Sequence, residues 1–260
     1  VTFLISIIHQ ISSMKWPENV KITLTLVGDI FPAELPYTRN YGIRTQFKKH
    51  KGIPWNNKLR NILGVNDITL GNLESPLISD GNNACNTFYG DPEFADFLKE
   101  CGINVLNIAN NHILEQGDNE YLETIEHLYK AGIGVTGNSD SNILYREIYG
   151  RKFAIAGFSN VDLNTINNNG RFAVLNENNV IATLKVMHRN KADFKILCFH
   201  WGNEYIHIPS LDQRKLAYRF IDEGADVIAG HHSHVIQPFE KYKSGYIFYS
   251  LGNFMFDYIH

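Results

Sequence analysis

A short apolar run followed by three histidines limits what this chain can fold into. Residues 226–230 have the composition of a buried β-strand, and His231, His232 and His234 follow directly. Open α/β sheets place ligands just past the carboxyl ends of their strands. Histidine is the most common metal ligand in proteins, and side chains two residues apart in an extended segment point the same way. The sequence therefore predicts that His232 and His234 bind one ion together at a sheet edge.

The same pattern, an apolar run that ends in polar residues, recurs four more times. The recurrence argues against a polar loop that contains imidazoles by coincidence. The runs end in Asp29, in Asn72 and Glu74, in Asn111 and His112, and in His200. Carboxylate, amide and imidazole groups together suit Mn²⁺, Fe or Zn²⁺, and there is no cysteine cluster of the structural-zinc type. The prediction is one or two divalent ions. Two ions bridged by a carboxylate would clamp the attacking and the leaving oxygens of a phosphoryl displacement.

Single members of this set have simpler explanations. Asp29 could cap a turn, the Asn-Asn-His sequence at 110–112 favours turns, and a lone histidine such as His200 is more often structural. Residues 31–60 have the pattern of a long irregular stretch that carries several cations. Its charge could face an anionic substrate, but a solvated surface loop is the favoured interpretation.

Strand-like and helix-like segments alternate along the chain, which predicts an α/β architecture and not an all-β fold or a helical bundle. The predicted strands are 20–27, 67–71, 103–109, 133–137, 152–157, 194–199 and 226–230. The predicted helices are 92–101, 118–131, 180–188 and 211–223, and a hairpin is predicted over 240–251.

Composition excludes several classes of function. The 260 residues carry a net charge of −3, which offers no basic field for nucleic acid. Three cysteines form no disulfide framework and indicate a reducing compartment or buried thiols. The apolar N-terminal stretch is too short to span a bilayer and lacks the cationic start of a signal peptide, so we expect a cytoplasmic or cell-envelope-associated protein. Walker-type and Gly-x-Ser-x-Gly motifs are absent from the sequence.

Taken together, these motifs resemble those of the bacterial CapA family of capsule and poly-γ-glutamate synthesis proteins, which is similar to the calcineurin-like metallophosphatases. The matching segments run from about residue 22 to 257: Val-Gly-Asp29-Ile, Gly-Asn72-Leu-Glu74-Ser-Pro, Asn-Ile-Ala-Asn110-Asn111-His112, His200-Trp-Gly-Asn-Glu204-Tyr205 with Pro209 and Gln213, Gly230-His231-His232-Ser-His234-Val, and Leu-Gly252-Asn253-Phe. The resemblance implies a four-layer α-β-β-α sandwich with the site along one edge. It also implies an N-terminal extension over 1–19, a CapA-like domain over 20–260, and a C-terminus that is cut short.

Three positions depart from the wider metallophosphatase pattern. No histidine follows two residues after Asp29, Asn72-Leu-Glu74 replaces the second aspartate motif, and Ile113 stands where an acid is usual. These changes leave one of the two metal positions with fewer ligands, so a second ion is expected to bind weakly or not at all.

The resemblance implies two alternative functions. The favoured one is a metal-dependent hydrolase of phosphoesters, or of a related bond, in surface-polymer synthesis. Its ligands would be Asp29, Asn72, Glu74, Asn111, His200, His232 and His234, with Glu74 preferred to Asn72 as the bridge. His112 would act as general acid toward the leaving oxygen or would stabilise charge in the transition state, and Glu204 would orient a ligand histidine. The alternative is a non-catalytic subunit for polymer binding or export. The expected partners are an anionic polymer or a phosphorylated small molecule and a membrane-associated capsule synthesis complex, but not nucleic acid.

Overall fold

Two β-sheets form the centre of the molecule. The computed structural model describes residues 6–7, 21–50, 56–79, 88–162 and 168–257. Within these residues, the first sheet contains β1 (Ser6–Ile7), β2 (Leu24–Ile30), β3 (Ile68–Leu73), β4 (Val105–Asn107), β5 (Gly134–Thr136) and β12 (Asn253–Met255). The second contains β6 (Ile143–Ile148), β7 (Arg151–Ser159), β8 (Phe194–His200), β9 (Val227–His231), β10 (Phe239–Tyr242) and β11 (Gly245–Phe248).

Most of the strand pairs are parallel, so their carboxyl ends meet at one edge. The first sheet runs β1-β2-β3-β4-β5, and β12 also pairs with β2. In this sheet only β1 is antiparallel to its neighbour among the described strands. The second sheet runs β10-β11-β9-β8-β7-β6, with antiparallel pairs at its two ends. Polar residues that follow the parallel strands therefore gather at the same edge.

Six helices cover the outer faces of the two sheets in the described part of the chain. They are α1 (Ile43–His50), α2 (Asn56–Leu63), α3 (Phe94–Glu100), α4 (Asp118–Lys130), α5 (Glu177–Arg189) and α6 (Leu211–Asp222). Short 3₁₀ turns lie at Pro36–Thr38 and Ser139–Ser141. None of the six helices is long and apolar enough to cross a membrane.

Alternation along the strands builds three apolar layers. In β8, Ile196 and Cys198 face the other sheet, whereas Leu197 and Phe199 pack with α5 and α6. This is the two-residue period of a strand that is buried on both faces. A third layer joins the outer face of the first sheet to residues of α1, α2, α3 and α4, among them Phe47 and Tyr121. The resulting order is α-β-β-α, as the resemblance implied.

The predicted regular elements are confirmed, with shifted ends. Helix α5 begins at Glu177 instead of residue 180, because the Asn176 side chain accepts a hydrogen bond from the Asn179 backbone N–H and caps the helix earlier. The predicted hairpin at 240–251 is present as β10 and β11. The sequence analysis did not predict the two-residue strand β1 or the strands β6 and β12. Strand β6 is a half-exposed edge strand and β12 has three residues, so neither has a strong apolar pattern.

The prediction of an irregular stretch over 31–60 is wrong, because α1 lies within it and α2 begins there. Only Phe47 of α1 is buried, so the helix has almost no apolar periodicity to detect. Two of its cations have a structural role: Arg44 and Lys48 lie 2.8 and 3.0 Å from Asp91. The Arg44 guanidinium also stacks 3.9 Å from the centre of the Tyr89 ring.

Most of the predicted extension over 1–19 lies outside the described residues. The two that are described, Ser6 and Ile7, pair with Thr25 and Leu24 of β2. The proposed domain boundary at residue 20 stays a prediction.

Candidate metal centre

The ends of four strands bring the predicted site residues together. Asp29 on β2 lies opposite Asn72 on β3 in the parallel register, and Glu74 follows β3 directly. On the second sheet β8 ends with His200, and β9 ends one residue before His232. The ring centres of these two histidines are 4.7 Å apart. The two sheets thus face each other with their polar ends on one side.

The loop after β9 divides its three histidines between the core and the site. His231 is fully buried; its Nε2 lies 3.2 Å from the Val27 carbonyl oxygen and its Nδ1 3.5 Å from the Cys198 sulfur. His232 and His234 both have left-handed backbones, with φ of 92° and 55°. The expectation of an extended segment is therefore wrong, although both side chains reach the site.

Glu74 lies at the centre of the cluster. Its side chain is 0% exposed, and its Oε1 is 3.5 Å from His200 Nε2 and 3.8 Å from His234 Nε2. Neither carboxylate oxygen has a hydrogen-bond partner among the described residues. Burial, the Asp29 charge and the Glu204 charge raise the pKa of Glu74 well above its usual value.

Three overlapping sets of ligand atoms surround Glu74. In each set the atoms lie within 4.8 Å of one another: Glu74, His200 and His232; Asp29, Glu74 and His234; and Glu204, His232 and His234. Burial and the neighbouring His232 lower the pKa of His200 well below its usual value. Burial and His234 lower the pKa of His232 to about 4. The two imidazoles are therefore neutral at physiological pH, the form that binds metals.

Asn111 and His112 lie on the loop after β4. The Asn111 Oδ1 is 2.8 Å from His200 Nε2, so this amide oxygen faces the cluster. Its Nδ2 lies 3.3 Å from His112 Nε2 and 3.3 Å from Asp162 Oδ2. The other ring nitrogen of His112, Nδ1, is 3.0 Å from Glu115 Oε1. The Nδ1 side of the His112 ring thus contacts the Glu115 carboxylate, and its Nε2 side contacts Asn111, which adjoins the cluster.

A chain of amides fixes the orientation of Asn72. The Ala109 backbone N–H donates to Asn107 Oδ1, which leaves Asn107 Nδ2 to donate to Asn72 Oδ1 at 2.9 Å. Asn110 Nδ2 reaches the same oxygen at 3.3 Å. Asn72 Nδ2 then donates to Asp29 Oδ1 at 2.8 Å. Asn72 turns an N–H and not an oxygen toward the centre, so its ligand role stays a prediction that would require the amide to turn over.

We expect Asn107→Ala to weaken metal binding about 10-fold, within the range for residues that orient ligands. The change removes the shorter of the two hydrogen bonds to Asn72 Oδ1 and so loosens the amide that bonds Asp29 Oδ1. Asn104→Ala is the matched control. Asn104 also connects β3 and β4, but at the ends of the strands away from the cluster, where its side chain bonds the Thr69 N–H and the Asp67 carbonyl oxygen. Isothermal titration with Mn²⁺ or Zn²⁺ measures both variants. Equal effects of the two changes would mean that Asn107 acts through general stability alone.

Other residues of the quoted motifs support the site from a distance. Trp201 is buried, and its Nε1 donates to the Tyr249 carbonyl oxygen at 2.9 Å, which anchors the chain just after His200. Gln213 forms a capping box with Ser210 at the start of α6. Glu204 is exposed beside His232 and His234.

Sequence reasoning assigned no role to Asn107, Asp162 or Asn253, all of which contact a predicted site residue. An asparagine inside the apolar strand β4 was a signal that could have identified Asn107. Asn253 lies in the Leu-Gly-Asn-Phe segment that the family resemblance includes.

Comparison with known proteins identifies the family. The model of the family described as bacterial capsule synthesis protein PGA_cap matches residues 23–258. The chain is 34% identical to the capsule biosynthesis protein CapA of Bacillus anthracis, over 96% of this chain and 63% of that protein. It is 31% identical to the PGA biosynthesis protein CapA of Bacillus subtilis (strain 168), over 75% of this chain and 55% of that protein.

The chain thus spans between about half and two thirds of the curated relatives that it matches. A crystal structure of a hypothetical protein from Thermus thermophilus superposes with a TM-score of 0.56 at 14% identity, over 88% of this chain and 75% of that one, which supports the fold. The match over nearly all of the described chain means that this protein belongs to the bacterial capsule synthesis PGA_cap family.

Proposed function

We propose that the cluster around Glu74 holds one or two divalent ions and that the protein is a metal-dependent hydrolase of phosphoesters, or of a related bond, in capsule-polymer synthesis. The observation that carries the proposal is the Glu74 carboxylate, fully buried and without a hydrogen-bond partner among the described residues. Buried polar groups are nearly always paired, and an isolated buried charge is far more costly than an isolated polar group. A cation bound between Glu74 and the histidines would remove this cost.

The donor groups fit such an ion. Carboxylate oxygen, amide oxygen and neutral imidazole nitrogen suit Mn²⁺, Fe or Zn²⁺. One ion would be held by Glu74, Asn111, His200 and His232. The other would be held by Asp29, Glu74 and His234, so the two ions would share Glu74. The buried His232 Nδ1 has no partner among the described residues, which supports its assignment as a donor atom.

Each of the remaining residues has a role that follows from its contacts. A bound ion supplies a positive charge that activates water and stabilises a developing oxyanion. His112, bonded to Glu115 through Nδ1, would deliver a proton to the leaving oxygen from Nε2. Glu204, at the exposed side of the cluster, would orient His232 or His234.

The substrate class and setting are also proposals. An anionic polymer or a phosphorylated small molecule would bind through the ion, in a capsule synthesis complex at the cell envelope. The net charge of −3 gives nucleic acid no general attraction. The two CapA proteins are named for capsule or PGA biosynthesis. These names support a polymer as the substrate class, but they do not identify the bond that is hydrolysed.

Removal of the ion tests the proposal. We expect elemental analysis of the purified protein to find one or two equivalents of Mn, Fe or Zn, and a chelator to abolish hydrolysis of a generic phosphodiester. Readdition of one of these ions should restore turnover. Metal-loaded protein that hydrolyses no phosphodiester or polymer bond but binds the polymer would overturn the hydrolase and favour the binding or export subunit. A protein that binds no divalent ion would overturn the metal site itself.

A further inference from the structure

The side chain of Asn253 on β12 contacts the ring of His234, one of the candidate metal ligands. Asn253 Oδ1 lies 2.9 Å from His234 Nδ1, whereas the nearest Asp29 oxygen is 3.7 Å from the same nitrogen. The other ring nitrogen, Nε2, faces Glu74. We propose that Asn253 is a positioning residue that fixes His234 as the Nδ1–H tautomer and leaves the Nε2 lone pair for a divalent ion. The metal-binding half of this inference rests on the proposed function.

The backbone around Asn253 is held against β2. In the parallel register Asn253 is opposite Asp29, and the Asp29 N–H donates to the Gly252 carbonyl oxygen at 2.9 Å. A Cβ at Gly28 would lie 1.9 Å from the same oxygen, so the two strands are in contact there. The Asn253 side chain therefore starts from a point that is fixed relative to Asp29 and the cluster.

The tautomer follows from the groups around the ring. A neutral imidazole carries one N–H, and the nitrogen that binds a metal must be the other one. A hydrogen on Nδ1 has an acceptor, because Asn253 Oδ1 lies 2.9 Å from that nitrogen. In the opposite tautomer, Nε2–H would face Glu74 Oε1 at 3.8 Å, too long for a hydrogen bond. Phe256 packs against the same ring, with ring centres 4.7 Å apart and ring planes tilted by 54°, and this contact restrains the ring.

Nuclear magnetic resonance of the ring nitrogens reads the tautomer directly. Protein labelled with ¹⁵N-histidine, at about pH 8.5 where histidine is neutral, would be measured without added metal. The His234 signals would be assigned by their loss in His234→Gln. We expect Nδ1–H in the wild type, and a mixture or Nε2–H in Asn253→Leu. The affinity for Zn²⁺, measured by isothermal titration, should fall about 10–100-fold in Asn253→Leu.

Two further variants separate positioning from folding. Asn253→Asp keeps an acceptor and should keep the Nδ1–H signal, with a Zn²⁺ affinity within a few-fold of the wild type. Met255→Leu changes a buried residue of the same strand by a volume-conserving substitution and should alter neither readout.

The tautomer signals decide the outcome. An Nε2–H signal in the wild type, or an unchanged tautomer in Asn253→Leu, would overturn the inference. The same tautomer change in Met255→Leu as in Asn253→Leu would also overturn it, since the strand would then be the cause. A wild type that shows an Asn253-dependent Nδ1–H but binds no Zn²⁺, Mn²⁺ or Fe²⁺ would disprove the proposed function while the tautomer assignment stands.

Discussion

Glu74→Gln should abolish metal binding and at the same time stabilise the metal-free protein. Loss of the shared carboxylate should weaken binding by at least about 100-fold, the upper limit for residues that only orient ligands. Without metal, the change removes a buried carboxylate that has no hydrogen-bond partner among the described residues and is repelled by Asp29. A glutamine N–H could instead donate to Asp29. We expect a gain of about 1–3 kcal/mol, the usual cost of an unsatisfied buried polar group.

Addition of metal should invert the order of stability. An ion at 1,000 times its dissociation constant stabilises a folded protein by about 4.1 kcal/mol, which exceeds the gain expected from the substitution, and only the wild type would gain this. Chemical denaturation of both proteins, with a chelator and with Mn²⁺ or Zn²⁺, measures the four free energies of unfolding. A metal-free Glu74→Gln protein that is less stable than the wild type would contradict the interpretation of Glu74 as a buried carboxyl group without a hydrogen-bond partner among the described residues.

Glu34→Gln is the matched control for this experiment. Glu34 is also buried, but its two oxygens accept hydrogen bonds from the backbone N–H groups of Thr45 and Asn40 at 3.1 and 3.3 Å. The same substitution there replaces one good acceptor by a donor, so it should destabilise the protein and leave metal binding unchanged. Opposite signs at two buried glutamates would exclude a general effect of removing charge.

The fold and the membership of the cluster were largely predictable from the sequence. Polar residues that follow the parallel strands of one sheet meet at one edge, which groups Asp29 with Glu74 and His200 with His232. The resemblance to the CapA family added that the two sheets face each other. The α/β alternation gave the helices and strands because their apolar periods are strong. The helix α1 was missed because Phe47 is its only buried residue. The helix is instead held by the ion pairs that Arg44 and Lys48 form with Asp91.

Side-chain orientation within the cluster was not predictable. Which end of the Asn72 amide faces Asp29 depends on the Ala109 backbone N–H, acting through Asn107. That chain joins residues up to 80 positions apart, and no local pattern encodes it. The same holds for the Asn253 contact with His234, since β12 reaches β2 from the far end of the sequence. The sequence thus specifies which residues converge, and long-range hydrogen bonds specify which atoms they present.

His112→Ala should leave metal occupancy intact and lower turnover about 10²–10⁴-fold, the usual scale of general acid–base catalysis. The His112 ring contacts Asn111 through Nε2 and Glu115 through Nδ1, and it belongs to none of the three ligand sets. Its loss therefore removes a proton donor and keeps the groups that hold the ion. His112→Asn, which retains a polar side chain, should be comparably impaired.

His127→Ala is the matched control for His112→Ala. The side chains of His112 and His127 are 21% and 20% exposed, and each lies close to a glutamate, at 3.0 and 3.2 Å. His127 sits on α4, so its replacement should change stability to a similar degree and leave turnover unaffected. Steady-state kinetics and elemental analysis on the three proteins decide the role. If His112→Ala empties the site, His112 is a ligand; if turnover survives the change, the proton reaches the leaving group by another route, and Asp162, which contacts Asn111, becomes the next residue to replace.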